Sequence, residues 1–192
     1  MRRDSATLII AGAYLWTMMI LLGAILLETF MVYPNIFHDP PASLEVAMEF
    51  MSVRAPSDFF PPFGLLTWIT GLAALVLTWR VKAARYWILC SLLMVAGEGV
   101  ASMLLFWPRN EIMFIEGTAV HPADVLRQVA LEFQRLHWLR VGFNAAAAIA
   151  VFGGFLQIHR HRILSSSGRH EASTSTPHEA STSTPRDAPV DV

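Results

Sequence analysis

The chain has 192 residues, of which 54% are hydrophobic and only 15% are charged. Polar residues this sparse are too few to cover a water-exposed surface, which argues against a soluble domain. The formal net charge of -1 gives no sign of nucleic-acid binding, and the single cysteine, Cys90, excludes an internal disulfide and a thiol redox pair.

Four apolar runs have the length of a bilayer-spanning helix, about 17–25 residues. The predicted spans are residues 8–30, 62–79, 86–107 and 139–158. The first run follows two arginines but is too long for a signal-peptide core and has no small-residue cleavage site after it, so we expect it to remain as a span. The sequence therefore predicts an all-α fold, a four-helix transmembrane bundle within residues 1–163, with the lipid bilayer as its partner.

Three segments outside the spans have patterns of their own. SLEVAMEFMSV, residues 43–53, has apolar residues at helical spacing and predicts a short helix on the outer surface. Residues 123–140 are predicted to run without a break into the fourth span. Residues 164–192 are rich in Ser, Thr and Pro and contain HEASTSTP twice in tandem, which predicts a disordered tail.

The distribution of basic residues predicts the orientation. Lys and Arg cluster before the first span, between the second and third spans, and after the fourth span, whereas residues 34–61 contain Arg54 alone. Because basic residues favour the cytoplasmic side, we expect both termini in the cytoplasm, with the bacterial inner membrane as the predicted location.

Several polar residues fall at lipid depth in the predicted spans. An unpaired arginine there costs about 2.5–3.5 kcal/mol on insertion scales, so Arg140 is expected to have a carboxylate partner. Glu28 and Glu98 are the available carboxylates, and all three residues fall in the outer half of the bilayer. The sequence therefore predicts one polar cluster, of Glu28, Glu98, His137, Arg140 and Asn144. The alternative is that Arg140 and His137 extend separately to the outer interface.

Haem and di-iron sites do not fit this pattern. His137 is the one histidine near a span, whereas bundle haems usually have two at matched depth. A carboxylate-bridged di-iron site needs Glu-x-x-His pairs in the core, and the sequence contains none. We expect no metal and no cofactor.

Two stretches resemble the anthrone-oxygenase-like family of small four-span membrane proteins. They are WPRNEIMF (107–114) and EFQRLHWLRVGFNAAAAIAVF (132–152), and the resemblance covers about residues 8–158. The family's recurring features are an acidic residue and a proline closing the first span and a P-x-N motif after the third. A further motif opens the fourth span: an aromatic residue, then histidine or asparagine, then arginine. Their counterparts here are Glu28 with Pro34, Pro108 with Asn110, and Phe133 with His137 and Arg140. Phe133 stands where tryptophan is more usual.

The resemblance implies an enzyme that oxidises anthrones to anthraquinones with molecular oxygen, without a metal or flavin. In that interpretation His137 is a general base, Arg140 stabilises the substrate oxyanion and Asn144 adds a hydrogen bond, while Glu28, Glu98 and Asn110 bind substrate or pair charges.

Three functions remain open from the sequence. One is a monooxygenase-like enzyme acting on an apolar aromatic small molecule. The second is a non-catalytic accessory protein, or a lipid- or quinone-binding scaffold, in which the cluster only fixes helix register. A proton-coupled transporter built on Glu98 is a third, and it would require a homodimer, which the sequence leaves open.

Reporter fusions at residues 45 and 165 test the predicted orientation. The fusion at residue 165 is expected to report a cytoplasmic location and the fusion at residue 45 an outer one, because the basic residues flank the other side. A cytoplasmic signal at residue 45 would invert the topology.

Overall fold

The computed structural model describes the backbone of residues 2–174 and the side chains of residues 5–165. Its five helices are α1 (Arg2–Leu27), α2 (Ala42–Phe50), α3 (Pro56–Thr78), α4 (Lys82–Ala101) and α5 (Ala123–Thr174). No strand occurs in the described part of the chain, which confirms the all-α prediction. We call the end of the bundle that carries α2 its outer end.

Helices α1 and α4 continue beyond their regular ends through π-helical segments. Helix α1 passes through Glu28–Val32 into a last turn, Tyr33–Ile36. Helix α4 passes through Ser102–Phe106 and Trp107–Asn110 to Glu111–Glu116. The backbone at Gly117 has a non-helical φ of 51°, and one further turn, Gly117–Val120, follows. A proline, which lacks the N–H group needed for a regular helical hydrogen bond, stands directly after the first π-helical segment of each helix.

In the described part of the chain, four helical stretches are long and apolar enough to cross a membrane, as an integral membrane protein requires. They are Ser5–Ile36, Pro56–Thr78, Lys82–Val120 and Ala123–Ser165. Each overlaps one predicted span almost completely, which confirms the four-span prediction. Helix α2 is the predicted outer helix, and α5 begins at Ala123 as predicted. Helix α5 also includes the first residues of the predicted tail, and residues 175–192 lie outside the described residues.

The four long helices form a closed ring, in which α1 packs on α3 and α5, and α4 packs on the same two helices. The stretch Lys82–Val120 has 39 residues. Up to Gly117, where helical geometry ends, it is roughly 50 Å long at about 1.5 Å per residue, well above the roughly 30 Å thickness of the hydrocarbon core of a bilayer. The bundle therefore has an outer layer beyond its membrane layer, and α2 packs against that outer layer.

Each layer has its own core. In the membrane layer, the buried residues include Tyr14, Met18, Ala74, Ile88, Leu92 and Val151. In the outer layer they include Leu44, Phe106, Met113, Leu126 and Phe133. The outer core contains residues from α2 and from the extensions of α1 and α4, so these extensions are part of the folded unit.

A hydrogen-bonded chain joins three helices in the membrane layer. The Ser91 hydroxyl donates to the Ala147 carbonyl at 2.8 Å. Its oxygen lies 2.8 Å from the Tyr14 hydroxyl, which must then be the donor of that second bond. All three side chains are fully buried. The chain fixes α1, α4 and α5 at one register below the polar cluster.

Close packing of α3 depends on Gly71. A Cβ atom at this position would lie 2.8 Å from Leu92 Cδ2 and 2.9 Å from Tyr14 Cε2. The Tyr14 ring is fixed by its bond to Ser91 and has little freedom to move away. Small residues at helix interfaces in membranes allow such close approach of backbones.

Replacing Gly71 with alanine is expected to destabilise the bundle, because overpacking of this kind costs about 1–3 kcal/mol. Gly64→Ala is the matched control in the same helix, since a Cβ atom there meets nothing within 4 Å. Thermal unfolding of the detergent-solubilised proteins measures both changes. Equal melting temperatures for the two variants would contradict the packing argument.

Candidate functional site

Three helices contribute polar side chains to one region of the bundle, near the junction of the membrane and outer layers. The π-helical segment of α1 carries Glu28 and Thr29, and α4 carries Glu98 near its regular end. Helix α5 carries His137 and Arg140 one turn apart. π-Helical segments are rare and are found frequently at functional sites, which makes this region the candidate site.

Arg140 forms an ion pair with Glu98, a residue 42 positions away in the sequence. The Arg140 Nε atom donates to Glu98 Oε1 at 2.9 Å, and the Ser102 hydroxyl donates to the same oxygen at 2.8 Å. The two charged side chains are only 13% and 21% exposed. Glu98 is therefore the carboxylate partner that was expected for Arg140.

The Arg140 guanidinium also lies against two phenyl rings. Its central carbon is 5.5 Å from the centre of the Phe60 ring and 5.1 Å from that of Phe106. Both distances are in the range of cation–π attraction. Within the described residues no group accepts a hydrogen bond from its terminal nitrogens, Nη1 and Nη2. The guanidinium thus presents free donors between two apolar faces.

One ring nitrogen of His137 is hydrogen-bonded, and the other has no hydrogen-bond partner among the described residues. The Thr29 hydroxyl donates to the Ile25 carbonyl at 2.6 Å, so its oxygen is left to accept a hydrogen bond from His137 Nε2, 2.9 Å away. These bonds assign the proton to Nε2 and a lone pair to Nδ1. Within the described residues Nδ1 is buried without a hydrogen-bond partner, and His137 is 2% exposed.

Aromatic rings enclose His137. The Tyr33 ring meets it edge-on with centres 4.6 Å apart, and Phe133 lies parallel to it at 6.2 Å. Phe106, which also faces Arg140, lies 6.4 Å away. The free Nδ1 lone pair therefore lies in an apolar enclosure.

Glu28 is buried, and its Oε2 atom accepts a hydrogen bond from the Tyr33 hydroxyl at 3.1 Å. It makes no hydrogen bond to Arg140, whose Nε atom is bound to Glu98. The two carboxylates of the predicted cluster thus have different partners.

Asn144 and Asn110 have less direct connections to the cluster. The Asn144 side chain is buried and donates to the Arg140 carbonyl of its own helix at 3.0 Å. Asn110 is half-buried on the turn after Phe106, and no hydrogen bond or ion pair links its side chain to the other cluster residues in the described part of the chain. The structure therefore brings together Glu98 with Arg140, and His137 with α1, but leaves Asn110 apart.

The described side chains contain no group of three His, Cys, Asp or Glu residues placed to hold a metal ion. The chain matches no protein-family model, no curated protein and no solved structure. The family resemblance therefore remains a prediction, and functional inference depends on the cluster itself.

Several residues of the site are absent from the predicted cluster: Thr29, Tyr33, Phe60, Ser102, Phe106 and Phe133. Hydroxyl groups are common in membrane helices, where they often bond to their own backbone, so the sequence gives no signal for Thr29 or Ser102. A second ion pair, between Arg109 and Glu132 at 3.0 Å, joins α4 to α5 in the outer layer. It too was not expected from the sequence.

Replacing Glu98 with glutamine is expected to destabilise the protein, because Arg140 would be left without its counter-charge. Removing one partner of a buried pair costs about 3–5 kcal/mol, and the residual exposure of both side chains puts the expected loss at or below the low end. Unfolding in mixed detergent micelles measures the change.

Glu132→Gln is the matched control for this prediction, since it breaks the more exposed outer pair and is expected to have a small effect. The double variant with Glu98→Gln and Arg140→Gln is expected to recover part of the loss. Equal losses for Glu98→Gln and Glu132→Gln would contradict a dominant role for the inner pair.

Proposed function

We propose that this protein is a membrane-embedded oxygenase that oxidises an apolar aromatic ketone of the anthrone type with molecular oxygen, without a metal or flavin. The observation that carries the proposal is the Nδ1 atom of His137, which has no hydrogen-bond partner among the described residues and lies in an aromatic enclosure one helical turn from Arg140. The motif resemblance supplies the substrate class. The proposal also includes the location and orientation: the protein lies in a bacterial inner membrane, with both termini on the cytoplasmic side.

The chemistry needs a base and a stabilised oxyanion. The methylene group of an anthrone is acidified by the aromatic ketone opposite it, so Nδ1 can remove a proton and leave an enolate. The enolate transfers one electron to oxygen, and the resulting radical pair joins to form a peroxide at the former methylene carbon. The proton held on Nδ1 returns to the peroxide to give a hydroperoxide. Loss of the second methylene proton then forms the C=O bond and breaks the O–O bond, and the hydroxide that leaves takes up that proton to become water. The products are one anthraquinone and one water for each anthrone and oxygen molecule consumed.

The other side chains fit supporting roles in this scheme. Arg140 is bound to Glu98 through Nε alone, so its terminal nitrogens can donate to the ketone oxygen as negative charge develops there. Thr29 is a positioning residue, since its hydroxyl holds the proton on Nε2 and so keeps the lone pair on Nδ1.

Substrate access requires movement of the enclosing side chains, because Nδ1 is fully buried. A flat apolar substrate suits this enclosure, because its own ring would pack against the aromatic side chains in place of the contacts they now make with one another. Such a substrate also partitions into the bilayer. From there it can approach the cluster sideways, past Phe60 and Arg140.

A second function, the non-catalytic accessory protein or the lipid- or quinone-binding scaffold, is favoured by a different observation. The bonds from Arg140 to Glu98 and from His137 to Thr29 join α5 to α4 and to α1. A network of this kind fixes the register of helices in a membrane whether or not a reaction takes place. The transporter interpretation has no comparable support.

Oxygen uptake and quinone absorbance, measured together on the purified protein in lipid nanodiscs with anthrone, separate the two functions. The oxygenase is expected to consume oxygen and form anthraquinone in equal amounts, above the autoxidation rate of protein-free nanodiscs. Removing a general base typically costs about 10²–10⁴-fold in rate, so His137→Ala is expected to fall to background. His121→Ala is the matched control, because His121 pairs with Glu116 in the outer layer.

Variants at Thr29 test the positioning role. Thr29→Val is expected to lower the rate and to change the tautomer signal of His137 in nitrogen-15 spectra, whereas Thr29→Ser is expected to retain both. A wild-type rate no higher than autoxidation would favour the scaffold. Full activity in a folded His137→Ala protein would refute the base assignment.

A further inference from the structure

Helix α2 has an apolar edge that the rest of the described chain leaves uncovered. Val46 and Phe50, one helical turn apart, are 67% and 88% exposed. Val53, in the linker that follows, is 86% exposed. Single exposed apolar residues are normal on proteins, but three large ones within eight residues of one short segment form a patch.

The other two sides of α2 are accounted for. Ser43, Leu44 and Ala47 are buried, and Leu44 and Ala47 belong to the core of the outer layer. Glu45 and Glu49, also one turn apart, form an exposed acidic edge, and Glu45 accepts a hydrogen bond from Thr118 at 3.1 Å. The surface of α2 therefore has three parts: one packed against the bundle, one acidic and exposed, and one apolar and exposed.

The position of α2 indicates what covers the apolar edge. Phe50 lies six residues before Pro56, the first residue of the membrane-crossing helix α3. The linker between them is too short to carry Phe50 far from the level at which α3 enters the bilayer, since five extended residues span at most about 18 Å. The apolar edge is thus continuous along the chain with the lipid-facing surface of α3, on which Leu65, Leu66 and Ile69 are exposed.

The charges around the patch agree with this placement. Arg54 directly follows Val53 and is exposed. A basic side chain at this point can reach lipid phosphates while its methylene groups remain at the boundary of the acyl chains. The acidic edge adjoins the apolar one, about 100° further around α2, so Glu45 and Glu49 can remain in water when the apolar edge faces the lipid.

We propose that α2 is an interfacial helix whose apolar edge, Val46, Phe50 and Val53, inserts into the lipid leaflet at the outer end of the bundle. Its occupant is lipid, at the boundary between headgroups and acyl chains. The inference does not depend on the proposed oxygenase activity. It gives the outer layer a second attachment to the membrane besides the long helices.

Spin labels at single cysteines test this proposal in lipid nanodiscs. Cys90 is exposed and is first replaced by serine. Labels are then placed at Phe50→Cys and Val53→Cys, with Glu49→Cys as the matched control on the acidic edge. The labels at residues 50 and 53 are expected to be more accessible to oxygen, which concentrates in the bilayer, than to a water-soluble nickel chelate. The label at residue 49 is expected to show the reverse.

Two results would overturn the proposal. Nickel access at residues 50 and 53 equal to that at residue 49 would place the apolar edge in water. Low access of both reagents would show that protein covers the edge, either a second copy of the chain or another partner. Helical content and elution volume, measured for each labelled variant, establish that the fold is retained, and the high exposure of these positions in the structure makes them tolerant of replacement.

Discussion

The ion pair between Arg140 and Glu98 is the constraint on which the outer half of the membrane layer depends. A guanidinium at lipid depth needs a counter-charge, and Glu98 lies on the one helix whose packing with α5 is most extensive. Once this pair is formed, α5 can neither rotate nor slide along α4 without exposing a charge to hydrocarbon. His137, one turn further out, is then directed at α1, where Thr29 receives it. Phe60 of α3 covers the guanidinium, so all four long helices meet around one charge.

The two carboxylates of the site have separate tasks, although the sequence presents them as equivalent partners for Arg140. Glu98 accepts hydrogen bonds from the Arg140 guanidinium and the Ser102 hydroxyl, whereas Glu28 accepts one from the Tyr33 hydroxyl. This division leaves the terminal nitrogens of Arg140 and the Nδ1 atom of His137 without partners within the described chain. Unfilled hydrogen-bonding capacity in an apolar enclosure is costly for stability, which is the physical reason for proposing a catalytic role ahead of a purely structural one.

Much of the fold follows from the sequence because hydrophobic length is a strong signal in membranes. The apolar runs predict the four spans, and the spacing in residues 43–53 predicts α2. The depth of Glu98 and Arg140 in their runs predicts that both lie in the outer half of the bilayer. The choice of Glu98 over Glu28 depends on helix rotation, which hydropathy does not report. Pro108 suggests a loop, yet α4 continues past it to Glu116, with the proline directly after a π-helical segment; helical geometry ends at Gly117, whose φ is 51°.

Thr29 shows most clearly where prediction from sequence ends. In a regular helix a residue's face follows from its number, but a π-helical turn changes that relation for every residue after it. The segment Glu28–Val32 therefore alters which side chains of α1 face α5, and Tyr33 is turned toward Glu28 and His137 as a result. No periodicity rule applied to ILLETFMVYP would include this change of register.

The π-helical segment in α1 also has a consequence for how this chain should be compared with others. Such a turn accommodates one residue more than an α-helical turn over the same stretch, so it is structurally equivalent to a single-residue insertion. A protein with the same bundle but a regular first helix would align here only with a one-residue gap between positions 28 and 32. Placed without the gap, its residues after this point would be matched to the wrong faces, and a shared Tyr33 or Pro34 would go unrecognised.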